Sequence, residues 1–398
     1  MRGTRRAGAG QHHLLAREPA PERTADGHGA ARAGTLRGLR SPWVLFLATA
    51  AALAVLALLH TLFWGWVYRV RPTHDELRFA RTQDGWRVAL SRRVPRGQPR
   101  WPPVLLCHGL SANRASLDFG VPRYSLALAL AEAGFDSFAL DLRGHGDSRR
   151  GSPRAWSFDT YLSQDIPAAL EDVQAASRAD RVLWVGHSQG ALLGLVAAGM
   201  FPARIAGVVA LAPPTHFHAQ DALRKLLPYA FLATGRGHRL LARAATPVAG
   251  WLHPGLAQFA WNSRNIDARI YRQVLANVVE DVPPQVFRQF LDWMRRDRFA
   301  SVDGLTDYRA GLVGARQPAL FVAGALDLLA PPTAVRGGYE LWAGEKELWV
   351  AGREAGLSTD YGHSDLIFGR KAPDEIYPRV VTWLRAHSEL ALPVPPPA

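Results

Sequence analysis

The chain has a single cysteine, Cys107, in 398 residues. An intrachain disulfide framework is therefore impossible, and so is a zinc site built on cysteines. Cys107 lies in the apolar run "PPVLLCHG", which reads as a buried strand, so its thiol is expected in the core and not as a nucleophile. Lysine is nearly absent as well: 44 of the 47 basic residues are Arg. The net charge is +13, but the excess is spread along the chain. No basic helix with interleaved aromatics is present, so no nucleic-acid partner is expected. His216 and His218 stand two apart but lack nearby acids or a second histidine pair. No metal and no other cofactor is expected.

What is present is apolar. Hydrophobic residues make up 48% of the chain, enough for one large core or two small ones. Residues 1–42 hold eight Arg against three acids with little apolar periodicity, and read as a disordered leader. Next comes "WVLFLATAAALAVLALLHTLFWGWVY", residues 43–68, with Trp43 at one end and Trp64, Trp66 and Tyr68 at the other. A cleaved signal peptide would have a shorter apolar stretch and a shorter leader. A core helix would show a polar stripe, and none is seen. The segment is expected to cross a membrane once, with interfacial aromatics at its ends. The leader arginines favour its side as cytoplasmic, which places the rest of the chain on the non-cytoplasmic side. Arg69, Arg71, Arg78 and Arg81 weaken that bias close to the membrane.

After Pro72 two kinds of segment alternate. "ELRFARTQDGWRVALSRRV" reads as two strands joined at Asp84-Gly85. "VLLCHG", "FDSFALD", "RVLWVG", "GVVALAP", "ALFVAG" and "KELWVAG" have the length and branched or aromatic content of buried parallel strands. Helical stretches lie between them, so an α/β sheet with helices on both faces is expected over residues 72–388. Residues 213 to about 300 break the alternation with aromatic-rich helical sequence and read as a helical insertion. Residues 389–398 form a proline-rich tail.

The pentapeptide Gly186-His187-Ser188-Gln189-Gly190 joins "RVLWVG" to "ALLGLVAAG". Chance supplies a G-x-S-x-G roughly 0.1 times in a chain of this composition, so its surroundings must decide its meaning. A serine between strand and helix sits on a tight turn at the carboxyl edge of the sheet, with glycines on either side that cannot collide with it. Its hydroxyl still needs a base and a group to orient that base. Asp327 follows the strand "ALFVAG", and His363 lies in a loop after the last strand. Asp360 and Asp365 are too near His363 in sequence to reach its far ring nitrogen readily, and Asp303 and Asp307 follow no strand end. The catalytic set is therefore expected to be Ser188, Asp327 and His363. An oxyanion would take the N–H groups of Leu110 and Gln189. His108 is expected to hold the Gly109 loop, His187 to pack and hydrogen-bond, and His145 and Asp147 to belong to a structural loop.

Together these residues resemble the α/β-hydrolase family from about residue 75 to 388. Within it, "HGLSANRAS", "SFDTYLSQDIPAAL", "VGHSQGALLG" and "YGHSDLIFG" look like the acid-lipase-type branch. The resemblance implies an α/β-hydrolase fold with a mostly parallel sheet, a helical lid inserted at about 213–300, and one membrane helix ahead of it. The expected activity is cleavage of carboxylic esters with hydrophobic acyl groups, as in esterases and lipases, through an acyl-Ser188 intermediate. Trp251, Phe259, Trp261, Phe287 and Trp293 would cover a small-molecule or lipid ester substrate. An acyltransferase or thioesterase with the same triad, and a non-catalytic membrane-bound binding module on this scaffold, are the alternatives.

Overall fold

Nothing in "FDSFALD" or "RVLWVG" alternates in polarity, and a strand of that kind is stable only when covered on both faces. The computed structural model, which describes residues 42–97, 101–149, 155–217, 237–250 and 261–388, places them accordingly. The strands are Glu76–Arg81 (β1), Arg87–Arg93 (β2), Trp101–Cys107 (β3), Phe135–Asp141 (β4), Val182–His187 (β5), Ile205–Leu211 (β6), Ala319–Gly324 (β7) and Lys346–Ala351 (β8). They form one eight-stranded sheet in the order β1-β2-β4-β3-β5-β6-β7-β8. β1 pairs antiparallel with β2, and β2 with β4; the remaining pairs are parallel. Every residue of β4, β5, β6 and β7 is buried, whereas edge strand β1 is mostly exposed. Asp84-Gly85 makes the β1–β2 turn, with Gly85 at φ 85°.

The helices are Pro42–Val67 (α1), Leu126–Glu132 (α2), Ile166–Ser177 (α3), Gln189–Met200 (α4), His238–Ala245 (α5), Ala268–Asn277 (α6), Pro284–Arg296 (α7), Tyr308–Gly314 (α8), Pro332–Leu341 (α9) and Ala372–Ala386 (α10). Ser125 caps α2 through Leu128 N–H, and Asp267 caps α6 through Arg269 and Ile270 N–H. Pro167 has no N–H for the turn before it, and the chain enters α3 through a π turn at Tyr161–Asp165.

The chain divides between Ala57 and Leu58 into two units, so the last turns of α1 group with the sheet and its helices. α1 is long and apolar enough to cross a membrane by length and composition, and it runs one residue earlier than the 43–68 segment expected. The expected leader and proline-rich tail lie outside the described residues, apart from Pro42, which begins α1. Between β6 and β7 the described helices are α5, α6, α7 and α8, with a short 3-10 turn at Ser263–Asn265.

In the sheet, β3 lies between β4 and β5, so the chain leaves β3 on one side and returns on the other. The loops after β3 and β5 splay apart at that reversal, which is where an open α/β sheet offers a crevice.

Candidate active site

Ser188 follows the last residue of β5 and precedes the first of α4. Its backbone has φ 53° and ψ −116°, a left-handed conformation that a serine adopts only under constraint. The constraint is visible. Ser188 N–H donates to the Leu211 carbonyl at 2.8 Å, tying the turn to β6. The two glycines let α4 close on the sheet. A Cβ at Gly190 would lie 2.1 Å from the Cys107 carbonyl oxygen, and one at Gly186 would lie 2.2 Å from the Gly190 oxygen. Gly109 is less tight: a Cβ there would lie 3.1 Å from His187 Nδ1 and 3.2 Å from the Ser188 Cβ.

Asp327 follows β7 and His363 follows β8, as the strand ends require. Their side chains meet. His363 Nδ1 lies 2.8 Å from Asp327 Oδ2, with both side chains buried. The other carboxylate oxygen, Oδ1, accepts the N–H groups of Leu329 and Ala330 at 2.8 Å each. With Nδ1–H donating to Asp327 Oδ2, the ring's Nε2 keeps its lone pair. Asp360 and Asp365 do not bond the ring. Buried Asp365 accepts from Gly362 N–H, Asn262 N–H and Asn265 Nδ2, so it holds the loop that carries His363. Asp307 caps α8, and Asp303 bonds Ser301 on the surface.

Two other histidines shape the site without serving as its base. Burial and the neighbouring His363 push His187 down to about 3. It is neutral, and its Nε2–H donates to the His363 carbonyl at 3.1 Å. Burial, with His145 beside it, also pushes His108 down to about 3. His108 Nε2 accepts Leu142 N–H at 3.2 Å, so Nδ1 carries the proton and donates to Gly109 O at 2.8 Å. The loop after β3 is held further out as well. Ser111, at φ 58°, exchanges backbone and side-chain bonds with Glu280, and Glu280 Oε1 accepts from Asn113 Nδ2 at 3.0 Å. Neither Leu110 N–H nor Gln189 N–H has an acceptor among the described residues. The His145 loop is structural. His145 bonds the Arg143 carbonyl, Asp147 pairs with Arg114, and Ser148 bonds Ala89 and Asp141. Burial pushes the Cys107 thiol up, far from a reactive thiolate.

Ser188, His363 and Leu110 line one cavity of about 330 Å³. Ser111, Ser116, His187 and Ser364 also reach it, but most of the remaining wall is apolar, with Phe217, Trp261, Val274, Phe287, Phe290 and Met294 among its residues. Of the aromatics named from the sequence, Trp261 and Phe287 line the cavity. Trp293 does not. Its indole is buried, donates Nε1–H to Ala300 O at 2.7 Å and packs edge-on against Phe158 and Phe299. On α7 the cavity face is Phe287, Phe290 and Met294, at i, i+3 and i+7, and Trp293 lies off that stripe. Helical spacing was the signal that could have separated them, and could have found Phe290 and Met294. Trp251, Phe259 and His218 lie outside the described residues. No sequence pattern marked Ser111, Glu280 or Asn262, whose roles arise from contacts between distant segments.

The model of the family described as alpha/beta hydrolase fold matches residues 102–352. Gastric triacylglycerol lipase of Rattus norvegicus is 32% identical over 163 residues, 36% of this chain and 41% of that protein. The lysosomal acid lipase/cholesteryl ester hydrolase of Macaca fascicularis is 31% identical over 168 residues, 38% of this chain and 40% of that protein. The chain thus spans about two fifths of the length of these relatives. Among solved structures, a thermophilic esterase from Thermogutta terrifontis superposes with TM-score 0.53 at 18% identity, covering 79% of this chain and all of that one. An esterase from Exiguobacterium antarcticum gives 0.52 at 17% identity, covering 77% and 98%. These similarities at low identity concern the fold.

Proposed function

The chain belongs to the alpha/beta hydrolase fold family, and from that premise we propose that it is a serine hydrolase cleaving carboxylic esters of hydrophobic acyl groups at a membrane. Ser188 Oγ attacks the ester carbonyl carbon as His363 Nε2 takes its proton. Asp327 keeps the other ring proton on Nδ1 and stabilises the imidazolium. The carbonyl electron pair moves onto oxygen, which accepts from Leu110 and Gln189 N–H, two donors with nothing else to bond. When the tetrahedral adduct collapses, the C–O bond to the alcohol breaks and the leaving oxygen takes the proton from His363. Water then attacks acyl-Ser188 by the same route and releases the acid. The observation that carries this reading is the convergence of a strained Ser188 and an Asp327-oriented His363 on one apolar cavity.

The acyl preference follows from the cavity walls. Each methylene buried there adds about 0.8 kcal/mol, or about fourfold in kcat/KM, until the space is filled. Lipase names among the relatives favour lipid esters, and the helices between β6 and β7 act as the cover over the site. α1 provides the membrane anchor: its 26 residues span about 39 Å at helical rise, enough to cross a hydrocarbon layer. The Arg-rich leader stays on the cytoplasmic side and the hydrolase domain on the other. A cytoplasm-dependent reporter fused to the carboxyl end should be silent; an active reporter reverses the topology. The chemistry is tested with a fluorophosphonate probe. The wild-type chain should label and Ser188→Ala should not; equal labelling of both rejects Ser188 as the nucleophile.

A further inference from the structure

A second cavity, of about 730 Å³, lies where the last turns of α1 meet the hydrolase unit. Leu58, Thr61, Leu62, Gly65 and Trp66 line it from one face of α1, and Arg69 lines it just past the helix end. The wall is pinned. Val70 N–H donates to Asn277 Oδ1 at 3.0 Å, and Asn277 Nδ2 returns a bond to Tyr68 O at 2.8 Å. Gly65 leaves room for Arg243, whose Cδ would be 3.9 Å from a Cβ there.

Around the cavity the charge is unbalanced. Arg69, Arg114, Arg149, Arg239 and Arg243 line the cavity, against Asp118, Asp147 and Asp281. Most of the acids are already committed. Asp147 pairs with Arg114, Asp118 with Arg93, and Asp281 accepts the backbone N–H of Arg239. Glu280, behind the wall, is shared by Arg149 and Asn113 and stands 3.8 Å from Arg239. Among the described residues, neither Arg69 nor Arg243 has a carboxylate partner, and the Arg239 Nε is buried without a hydrogen bond. Burial and the Arg239 and Arg149 charges hold the Arg243 guanidinium below its usual range, although Glu280 pulls the other way. A solvated surface does not collect half-buried guanidiniums that repel one another around a cavity. An oxyanion with several acceptor oxygens removes the repulsion and fills the empty donors.

We propose that this cavity binds a phosphate-bearing anion, with Arg69, Arg149, Arg239 and Arg243 around the phosphate and Leu58, Leu62 and Trp66 against the apolar part of an anionic phospholipid. A free phosphate would use the arginines and leave the apolar wall bare. The lipid source rests on the membrane reading of α1, because Trp64, Trp66 and Tyr68 then place the cavity at headgroup depth. It does not rest on the ester chemistry.

The test uses the full chain in neutral detergent micelles, with equal phosphatidylglycerol and phosphatidylcholine, and native mass spectrometry to count bound lipid. A parallel arm adds inorganic phosphate and reads the thermal midpoint. Phosphatidylglycerol should be retained about tenfold over phosphatidylcholine, and Arg239→Gln/Arg243→Gln should lose that preference. The exposed Arg69→Gln, which removes no internal bond, should weaken it in a chain whose unfolding midpoint is unchanged. A midpoint raised by phosphate in the wild type alone, without lipid preference, keeps the anion site and names free phosphate as its source. No preference and no phosphate effect, or equal retention by wild type and variants, overturns the site. Fluorophosphonate labelling of the same samples keeps the two readings apart. Labelling without lipid preference rejects only the anion site, and lipid preference without labelling rejects only the hydrolase.

Discussion

The sheet-edge wall of the Ser188 cavity and the helical wall facing it are held by different physics. At the sheet edge, backbone meets backbone. Gly186 and Gly190 leave no space for a Cβ, Ser188 is locked by Leu211, and Asp327 carries three hydrogen bonds. Across the cavity, α6 and α7 present Val274, Val278, Phe287, Phe290 and Met294, which offer area and shape but little direction. Reacting atoms tolerate little displacement, and acyl chains tolerate a great deal. The rigid wall therefore suits the chemistry, and the apolar wall suits the choice of substrate.

Substitutions should separate the two walls. The largest loss is expected at the rigid one. Ser188→Ala, His363→Ala and Asp327→Asn should each lower kcat by roughly 10³-fold or more on p-nitrophenyl esters. Near-normal turnover in any of them would refute its assigned role. Next comes Gly190→Ala, whose methyl meets the Cys107 carbonyl. It should cost about 3 kcal/mol in denaturant unfolding, and a stable, active variant would show that the elbow yields more easily than its geometry implies. On the apolar wall, Phe287→Ala should lower kcat/KM about tenfold for long acyl esters and leave short ones nearly unchanged. A uniform loss across chain lengths would place Phe287 in the chemistry instead.

A further test concerns pH. Free imidazole protonates near 6.5, but His108 and His187 resist protonation until about 3. Between those values the unfolded chain binds more protons, so stability is full above about 6.5 and falls as pH falls toward 3. Each histidine contributes up to about 1.4 kcal/mol per pH unit in that window. Thermal midpoints from pH 7 to 4 should show a shallower decline for His187→Gln than for the wild type. An identical decline would mean that His187 is not held neutral by burial.

Much of this was legible in the residues. The eight strands, the serine turn and the order of Ser188, Asp327 and His363 follow from period-2 and continuous apolar runs ending in turn residues. Such patterns are local, and parallel strands bring their carboxyl ends to one edge without further information. Trp293 shows where that stops. An aromatic in a helical stretch is equally at home on a cavity or in the core, and only its turn around α7 decided for Phe158 and Ala300. His187 shows it too. Its place beside the serine said nothing of the bond to the His363 carbonyl, since the two residues are 176 positions apart.

By itself, then, the order of residues determined the sheet, the turn that strains Ser188 and the apolar length of α1, because each depends on neighbours within a few positions. Tertiary structure alone decided the Asp327–His363 bond, the Ser111–Glu280 tie and the gathering of arginines around the second cavity. Those contacts join segments tens to hundreds of residues apart, and no periodicity encodes which distant side chain will fill a given space.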